Sequence, residues 1–224
     1  MNTLLSILNQ TQNVSVIDAA ICKSDYVSLD LSKTNTDLLT FDCDDAVAFE
    51  KYIESYLKKN DAKVAFGGYN EIRNLYKRST IFNSQDQKER SIHIGLDLWI
   101  KAETTVLAAL DGKIHSFCNN KGLGNYGPTI ILEHQIDNIV FYTLYGHLSE
   151  KSIANLTVGA SVEKGATLAR LGSAAVNGNY APHLHFQIIA DIQKNFGDHP
   201  GVCSTDDLNF YLTNCPDPNL LLKL

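Results

Sequence analysis

The chain has 224 residues, 20% of them charged, and a formal net charge of −6. This length buries one substantial core, or one catalytic domain with a small appended segment, but hardly two full domains. The acidic balance argues against nucleic-acid binding, which needs clustered Lys and Arg. No apolar run approaches the roughly 20 residues of a membrane-spanning helix, so no integral membrane association is expected.

The N-terminal sequence and the cysteines indicate the cellular compartment in which the protein is expected. Residues 1–8 include a short apolar cluster, but they lack the basic start, the long apolar stretch and the small-residue cleavage site of a secretory signal. A cytoplasmic protein is therefore expected, with export by another route left open. The five cysteines form no CxxC pair, which favours neither a disulfide framework nor a cysteine zinc site. The oligomeric state stays open.

Residues 1–88 are predicted to form a small α+β accessory segment. Asp44 or Asp45 is placed to cap a helix whose apolar residues continue at helical spacing as far as Tyr56. β-favouring runs flank this helix. The predicted strands are 14–19, 26–31 and 63–66.

Residues 89–224 have a different sequence pattern. From Ser91 onward, short apolar runs alternate with turn residues. Residues 113–117 and 129–133 are two such runs. Many short strands at regular spacing are typical of an antiparallel β core. The expected fold class is thus mainly β, with a small N-terminal α+β segment.

An HxH motif lies in one of these runs, at His183 and His185. Residues two apart in a strand project to the same face, so both imidazoles are expected to point into one cleft. Leu184 and Phe186 would then pack behind them. Such a strand is a natural platform for metal ligands.

His93 and Asp97 form a second cluster. Four residues of straight strand would separate them by roughly 13 Å, too far to share one ion with bonds of about 2 Å. The chain must therefore turn between them. Gly95 is expected to permit that turn, because glycine adopts backbone angles closed to other residues.

A further histidine, His147, ends a run in which Phe141, Thr143 and Tyr145 alternate on one face. The alternation predicts that His147 reaches the same cleft from a neighbouring strand. Any one of these histidines could be a hydrogen-bonded core residue. Burying several of them beside a carboxylate without a metal or a reaction would cost several kcal/mol, about the penalty for unpaired buried charge.

The three clusters together resemble the signature of the M23 (lysostaphin/LytM-like) metallopeptidases: His-x-Gly-x-Asp, then Leu-Tyr-Gly-His-Leu, then Pro-His-Leu-His-Phe. The similarity covers about residues 91–189. It implies an antiparallel core of the duplicated-hybrid-motif type, with Zn²⁺ as cofactor. The positions that match the family's motifs are His93, Asp97 and His185 as zinc ligands and His147 and His183 as catalytic histidines.

A narrower resemblance is to the M23-like domain fused between a kinase-like phosphotransferase and a class III aminotransferase. The sequence contains neither fusion partner, so the physiological substrate stays open. The segments that carry this likeness include Gly68-Tyr69-Asn70-Glu71, Tyr126-Gly127-Pro128-Thr129 and Cys215-Pro216-Asp217-Pro218-Asn219-Leu220.

Five further residues are candidates for substrate or oxyanion contacts. The family's use of an upstream tyrosine points to Tyr69, Arg73 and Tyr76, although Tyr76 could equally pack at helical spacing. Asn177 and Tyr180 precede the HxH motif and could line the groove, and a plain turn at Asn177 explains the sequence equally well.

The resemblance implies a zinc-dependent metallo-endopeptidase acting on a peptide or muropeptide, with peptidoglycan cross-links as one substrate class. Two alternatives stay open. One is a non-catalytic binding or regulatory module with an M23-like fold. The other is an intracellular zinc amidohydrolase that acts on a small substrate.

Overall fold

A computed structural model describes residues 3–74 and 88–224. In these residues, short strands alternate with turns and four α-helices. The strands are β1 (Tyr26–Ser28), β2 (Val64–Gly67), β3 (Glu71–Ile72), β4 (Ile92–His93), β5 (Leu96–Trp99), β6 (Thr105–Leu107), β7 (Gly112–Asn120), β8 (Gly127–Ile136), β9 (Ile139–Gly146), β10 (Ser161–Val162), β11 (Thr167–Arg170), β12 (His183–Ile189) and β13 (Val202–Cys203). The helices are α1 (Leu4–Gln10), α2 (Ala46–Lys59), α3 (Leu208–Asn214) and α4 (Asn219–Leu222).

The largest sheet has eight strands in the order β1-β2-β5-β12-β9-β8-β7-β10. Every neighbouring pair in it is antiparallel except β1 and β2, which run parallel. Two smaller sheets, β13-β4-β3 and β11-β6, lie beside it. The predicted fold class, mainly β and antiparallel with a small N-terminal α+β segment, is confirmed.

The N-terminal segment continues the main sheet, because β2 pairs with β5. Asp45, one of the two predicted caps, is the N-cap of α2, and its Oδ1 accepts a hydrogen bond from the Val47 N–H at 2.8 Å. The apolar face of α2 packs Phe49 against Trp99, with ring centroids 5.2 Å apart. The boundary between residues 88 and 89 stays a prediction.

The predicted strand over residues 14–19 is wrong. In this stretch only Ile17 forms a bridge, to Val106. The apolar side chains Val14, Val16 and Ile17 are all buried in the main core. Their β-favouring character therefore reflects burial of an irregular segment rather than a strand ladder.

β12 is an inner strand of the eight-stranded sheet, between β5 and β9, and shows the expected alternation. Leu184, Phe186 and Ile188 belong to the main apolar core, and burial of each such side chain contributes about 1.5–3 kcal/mol. His183 and His185 occupy the opposite face of the same strand and are also buried. One face of β12 thus anchors the strand while the other carries the polar groups.

No helix among residues 3–74 and 88–224 combines the length and the apolar character needed to cross a membrane.

Candidate metal centre and catalytic cleft

The strand register brings Asp97 beside His185. In the antiparallel pairing of β5 with β12, His185 lies opposite Asp97 and His183 lies opposite Trp99. Side chains that face each other across antiparallel strands have Cβ atoms about 4.5–5.5 Å apart. The register therefore places a carboxylate next to an imidazole from a residue 88 positions away.

His93 joins them through a bend in the chain. β4 belongs to the three-stranded sheet and β5 to the eight-stranded sheet, so the chain changes direction between His93 and Asp97 as predicted. Gly95 was predicted to permit this turn by adopting backbone angles closed to other residues. That reason is wrong, because Gly95 does not have a positive φ. A Cβ atom at Gly95 would lie 2.4 Å from Cε1 of His185, so glycine is required here for space.

Three potential ligand atoms converge at this point. Asp97 Oδ1 lies 3.3 Å from His93 Nε2 and 3.2 Å from His185 Nδ1, and the two ring nitrogens are 2.9 Å apart. Tetrahedral zinc with N and O bonds of about 2.0–2.1 Å has ligand atoms roughly 3.3 Å apart. The edges of this triangle, on side chains that are 1–3% exposed, therefore fit a tetrahedral cation.

The hydrogen bonding of His93 prepares its inner nitrogen for a cation. His93 Nδ1 lies 2.9 Å from the Gly68 carbonyl oxygen, and a carbonyl only accepts, so Nδ1 carries the hydrogen and Nε2 keeps a lone pair. Burial lowers the pKa of His93 to about 4, despite the opposing effect of Asp97. The ring is thus neutral near pH 7, as a metal ligand must be.

The second oxygen of Asp97 is held by an arginine. Arg73 Nη1 donates to Asp97 Oδ2 at 2.6 Å, and Arg73 Nε donates to Glu71 Oε2 at 2.5 Å. Burial alone would raise the pKa of Asp97, but His93 and Arg73 outweigh it and hold that pKa well below its usual value. The carboxylate is therefore ionised, with Oδ1 directed to the two imidazoles.

His147 reaches the cleft by a different route from the predicted one. In the pairing of β9 with β12, Tyr145 lies opposite Phe186 and Gly146 lies opposite His185, so simple alternation would place His147 on the core face with Tyr145. The strand instead ends at Gly146, and His147 adopts a left-handed backbone with φ 65°. This uncommon conformation brings its ring within 4.3 Å of the His183 ring, measured between centroids.

Backbone carbonyls orient both of these histidines. His147 Nδ1 lies 2.9 Å from the Asn177 carbonyl oxygen, and His183 Nδ1 lies 2.8 Å from the Ala181 carbonyl oxygen. Each Nδ1 therefore donates, and each Nε2 keeps a lone pair. Burial lowers the pKa of His183 to about 4 and that of His147 well below its ordinary value.

Aromatic side chains enclose the histidines. Trp99 stacks on His183 with centroids 3.9 Å apart and an interplanar angle of 21°. Tyr180 meets His147 edge to face at 5.1 Å, and the Tyr126 hydroxyl lies 3.3 Å from His185 Nε2. These contacts limit the freedom of the rings, which preorganises the site.

The cleft has a volume of about 240 Å³ and includes residues that the sequence interpretation missed. Trp99 was not singled out, although its place two residues after Asp97 in a strand was a usable signal. His199, which was not assigned to the site from the sequence, is buried and lines the cleft. Among the other lining residues not assigned to the site are Tyr126 and, from α2 outside the motif region, Ala46 and Phe49.

The remaining candidates are placed as follows. Arg73 and Tyr180 line the cleft. Tyr69 donates its hydroxyl hydrogen to the Cys215 carbonyl at 2.8 Å, which directs that group to the C-terminal segment. Asn177 is fully buried and meets His147 through its backbone carbonyl. Tyr76 lies outside the described residues.

Fold and site together define a β domain with a His-Asp-His cluster and two neighbouring histidines, and a match to one protein-family model agrees with this class. Residues 91–196 match the family model described as peptidase family M23. This stretch contains all five clustered residues, and it is similar to an M23 peptidase domain. No curated protein matches the chain.

Several solved structures are similar to part of the chain. The catalytic domain of the antimicrobial peptidase lysostaphin from Staphylococcus simulans is 26% identical, over 54% of this chain and 80% of that one, with a TM-score of 0.37. A mutant catalytic domain of the prophage-encoded M23 protein EnpA from Enterococcus faecalis is 18% identical, over 56% of this chain and 85% of that one, with a TM-score of 0.39. Csd3 from Helicobacter pylori is 23% identical, over 56% of this chain and 32% of that one, with a TM-score of 0.33. The matched region therefore spans about a third of Csd3.

Proposed function

We propose that this protein is a zinc-dependent metallopeptidase of the M23 type, with His93, Asp97 and His185 as the ligands. The observation that carries the proposal is the triangle of three buried acceptor atoms with edges of 2.9–3.3 Å. Three like acceptors at this separation repel one another unless a cation lies between them. The family match over residues 91–196 supports the peptidase class.

Zinc held by three protein ligands would bind water in its fourth position, lower the pKa of that water towards about 7 and polarise a substrate carbonyl. We assign the proton transfers to His147 and His183. Both rings are neutral near pH 7 because burial lowers their pKa values, and both keep an unprotonated Nε2. They are therefore able to accept a proton and later donate it to a leaving amine.

Arg73 supports the site from outside the triangle. Its guanidinium holds one oxygen of Asp97, which leaves the other oxygen as a single anionic ligand atom. A charge-assisted bond of this kind orients the carboxylate. Tyr180 lies against both catalytic candidates, with ring centroids 5.1 Å from His147 and 5.7 Å from His183, and is proposed to contact the substrate.

The experiment that tests the proposal combines metal analysis with hydrolysis. Protein purified without chelator should contain one zinc per chain and should cleave a peptide or muropeptide, with activity lost on chelation and restored by zinc. Protein that neither contains nor takes up a transition metal would exclude the metallopeptidase. Stoichiometric zinc with no hydrolysis across a broad panel would favour the non-catalytic binding module.

A second candidate is a zinc amidohydrolase that acts on a small substrate. The observation in its favour is the enclosure of the site, because none of the five clustered side chains is more than 5% exposed and the cleft holds about 240 Å³. Rates on muropeptides, free dipeptides and small amides separate the two candidates. Preference for cross-linked muropeptides would exclude the small-substrate enzyme.

Three finer statements stay predictions: cleavage of a peptidoglycan cross-link, a cytoplasmic location, and the narrower likeness to the domain of the phosphotransferase–aminotransferase fusions.

A further inference from the structure

A buried glutamine lies directly behind the candidate metal centre. Gln187 follows His185 by two residues in β12, so both side chains project from the same face of the strand. The glutamine is fully buried, and its Oε1 lies 2.9 Å from His185 Nε2. His185 Nδ1, on the other side of the ring, is the atom that faces Asp97 and His93.

The opposite end of the glutamine amide is held by the segment after β12. Gln187 Nε2 donates to the Pro200 carbonyl at 3.1 Å, and it lies 3.2 Å from both Cys215 Sγ and His199 Nδ1. A backbone carbonyl has no hydrogen to give, so the NH₂ group must be the end that faces Pro200. The orientation of the amide is therefore set by a proline carbonyl.

This orientation determines which nitrogen of His185 is protonated. With the NH₂ group turned to Pro200, the amide oxygen faces His185 Nε2, and an amide oxygen only accepts. His185 Nε2 must therefore carry the hydrogen, and Nδ1 must carry the lone pair. In the other tautomer, two acceptors would meet at 2.9 Å, and a hydrogen on Nδ1 would point into the metal position.

We propose that Gln187 is a positioning residue that fixes His185 as the Nε2–H tautomer and so presents Nδ1 to the metal. The inference rests on the proposed zinc site. It adds a chain of hydrogen bonds from the Pro200 carbonyl through Gln187 to His185, one of the proposed ligands. Because the partner is a neutral amide, the site keeps Asp97 as the anionic group within the ligand set. The Tyr126 hydroxyl, 3.3 Å from His185 Nε2, makes a longer contact with the same nitrogen.

Two substitutions separate the parts of this arrangement. Gln187→Met keeps the length of the side chain but removes both the acceptor and the donor. We expect it to weaken zinc binding about 10- to 100-fold, the usual effect of losing an outer partner of a ligating histidine. Gln187→Glu keeps an acceptor for His185 Nε2, so its zinc affinity should lie closer to that of the wild type. Affinities are measured by competition with a chromophoric chelator.

A second readout reports the tautomer directly. Long-range ¹H–¹⁵N NMR of the histidine rings in the zinc-free 224-residue chain should show His185 as Nε2–H in the wild type and in Gln187→Glu. Gln187→Met should add a population of the Nδ1–H form. A merely structural role of Gln187 would lower stability without changing this ratio.

Thr143→Val is the matched control. Thr143 is also fully buried, and its hydroxyl bonds His134 and Tyr145 rather than any residue of the cluster. This variant should lose stability but keep both the zinc affinity and the His185 tautomer of the wild type.

The inference is overturned if Gln187→Met binds zinc as tightly as the wild type, or if His185 stays entirely Nε2–H in that variant. If Gln187→Met does not fold, a shift of His185 to Nδ1–H in Gln187→Glu overturns it instead. Failure of the wild type to bind zinc would remove the proposed function, and the NMR comparison would still decide whether Gln187 sets the tautomer.

Discussion

Replacing Asp97 with Asn tests the candidate metal centre most directly, because it removes one charge while preserving shape. Asp97 Oδ2 accepts from Arg73 and Oδ1 faces the two ring nitrogens. An Asn side chain cannot make both of these contacts, whichever way its amide is turned. Its NH₂ group either opposes the guanidinium or donates to the lone pairs of His93 and His185, and it then occupies the metal position.

Two magnitudes follow from these contacts. Losing an outer partner of a ligand costs about 10- to 100-fold in metal affinity, so losing a ligand should weaken zinc binding by more than about 100-fold. Removing one member of a buried ion pair costs about 3–5 kcal/mol. The lower end applies to Asp97→Asn because Arg73 keeps Glu71 as a partner at 2.5 Å. For a chain of this size, about 3 kcal/mol lowers Tm by roughly 6–12 °C.

The assay is a zinc titration against a chelator, combined with thermal unfolding of the zinc-free protein. Glu71→Gln is the control, since it removes the other carboxylate from the same guanidinium and leaves the His-Asp-His triangle intact. It should lose stability while still binding zinc. Undiminished zinc affinity in Asp97→Asn would refute the ligand assignment.

Three other predictions address the remaining parts of the site and the fold. Replacing His147 or His183 with Ala should leave zinc bound while hydrolysis falls by about 100-fold or more, as expected for general acid–base groups; unchanged turnover in both variants would contradict these roles. Gly95→Ala should cost about 1–3 kcal/mol through overpacking and should weaken zinc binding, because its Cβ would meet the His185 ring at 2.4 Å; unchanged zinc affinity would show that the ring moves without consequence. Burial lowers the pKa of His134 from 6.5, so the unfolded chain binds a proton there that the folded chain does not, and stability is lost as pH falls below about 6.5. In this pH range, urea unfolding should show that the free energy of unfolding of the wild type falls by up to about 1.4 kcal/mol more per pH unit than that of His134→Gln. Equal pH dependence of the unfolding free energy in the two proteins would disprove the linkage.

Local patterns in the sequence were sufficient for several features. The cap and apolar spacing of α2, the β character from Ser91 onward and the shared face of His183 and His185 all depend on neighbours along the chain. Motif order brought the five clustered residues together as candidates. The need for a bend between His93 and Asp97 followed from strand length alone.

Other features depend on partners that are distant along the chain. The β-favouring residues around Ile17 form no strand, because only one bridge partner is available. His147 lies in the cleft as predicted, but alternation is not the reason, because a left-handed backbone at His147 itself, directly after β9, turns its ring away from the core face. No local pattern announces that conformation at a non-glycine position.

The residues capable of the chemistry were thus evident from the order of amino acids, because residue type and short-range periodicity are local properties. Which atoms meet was settled in three dimensions. The β5–β12 register places Asp97 Oδ1 against His185 Nδ1, and the loop after β12 carries the Pro200 carbonyl to Gln187. Strand register and loop path result from packing of the whole core, and they determine the distances and tautomers on which a metal site depends.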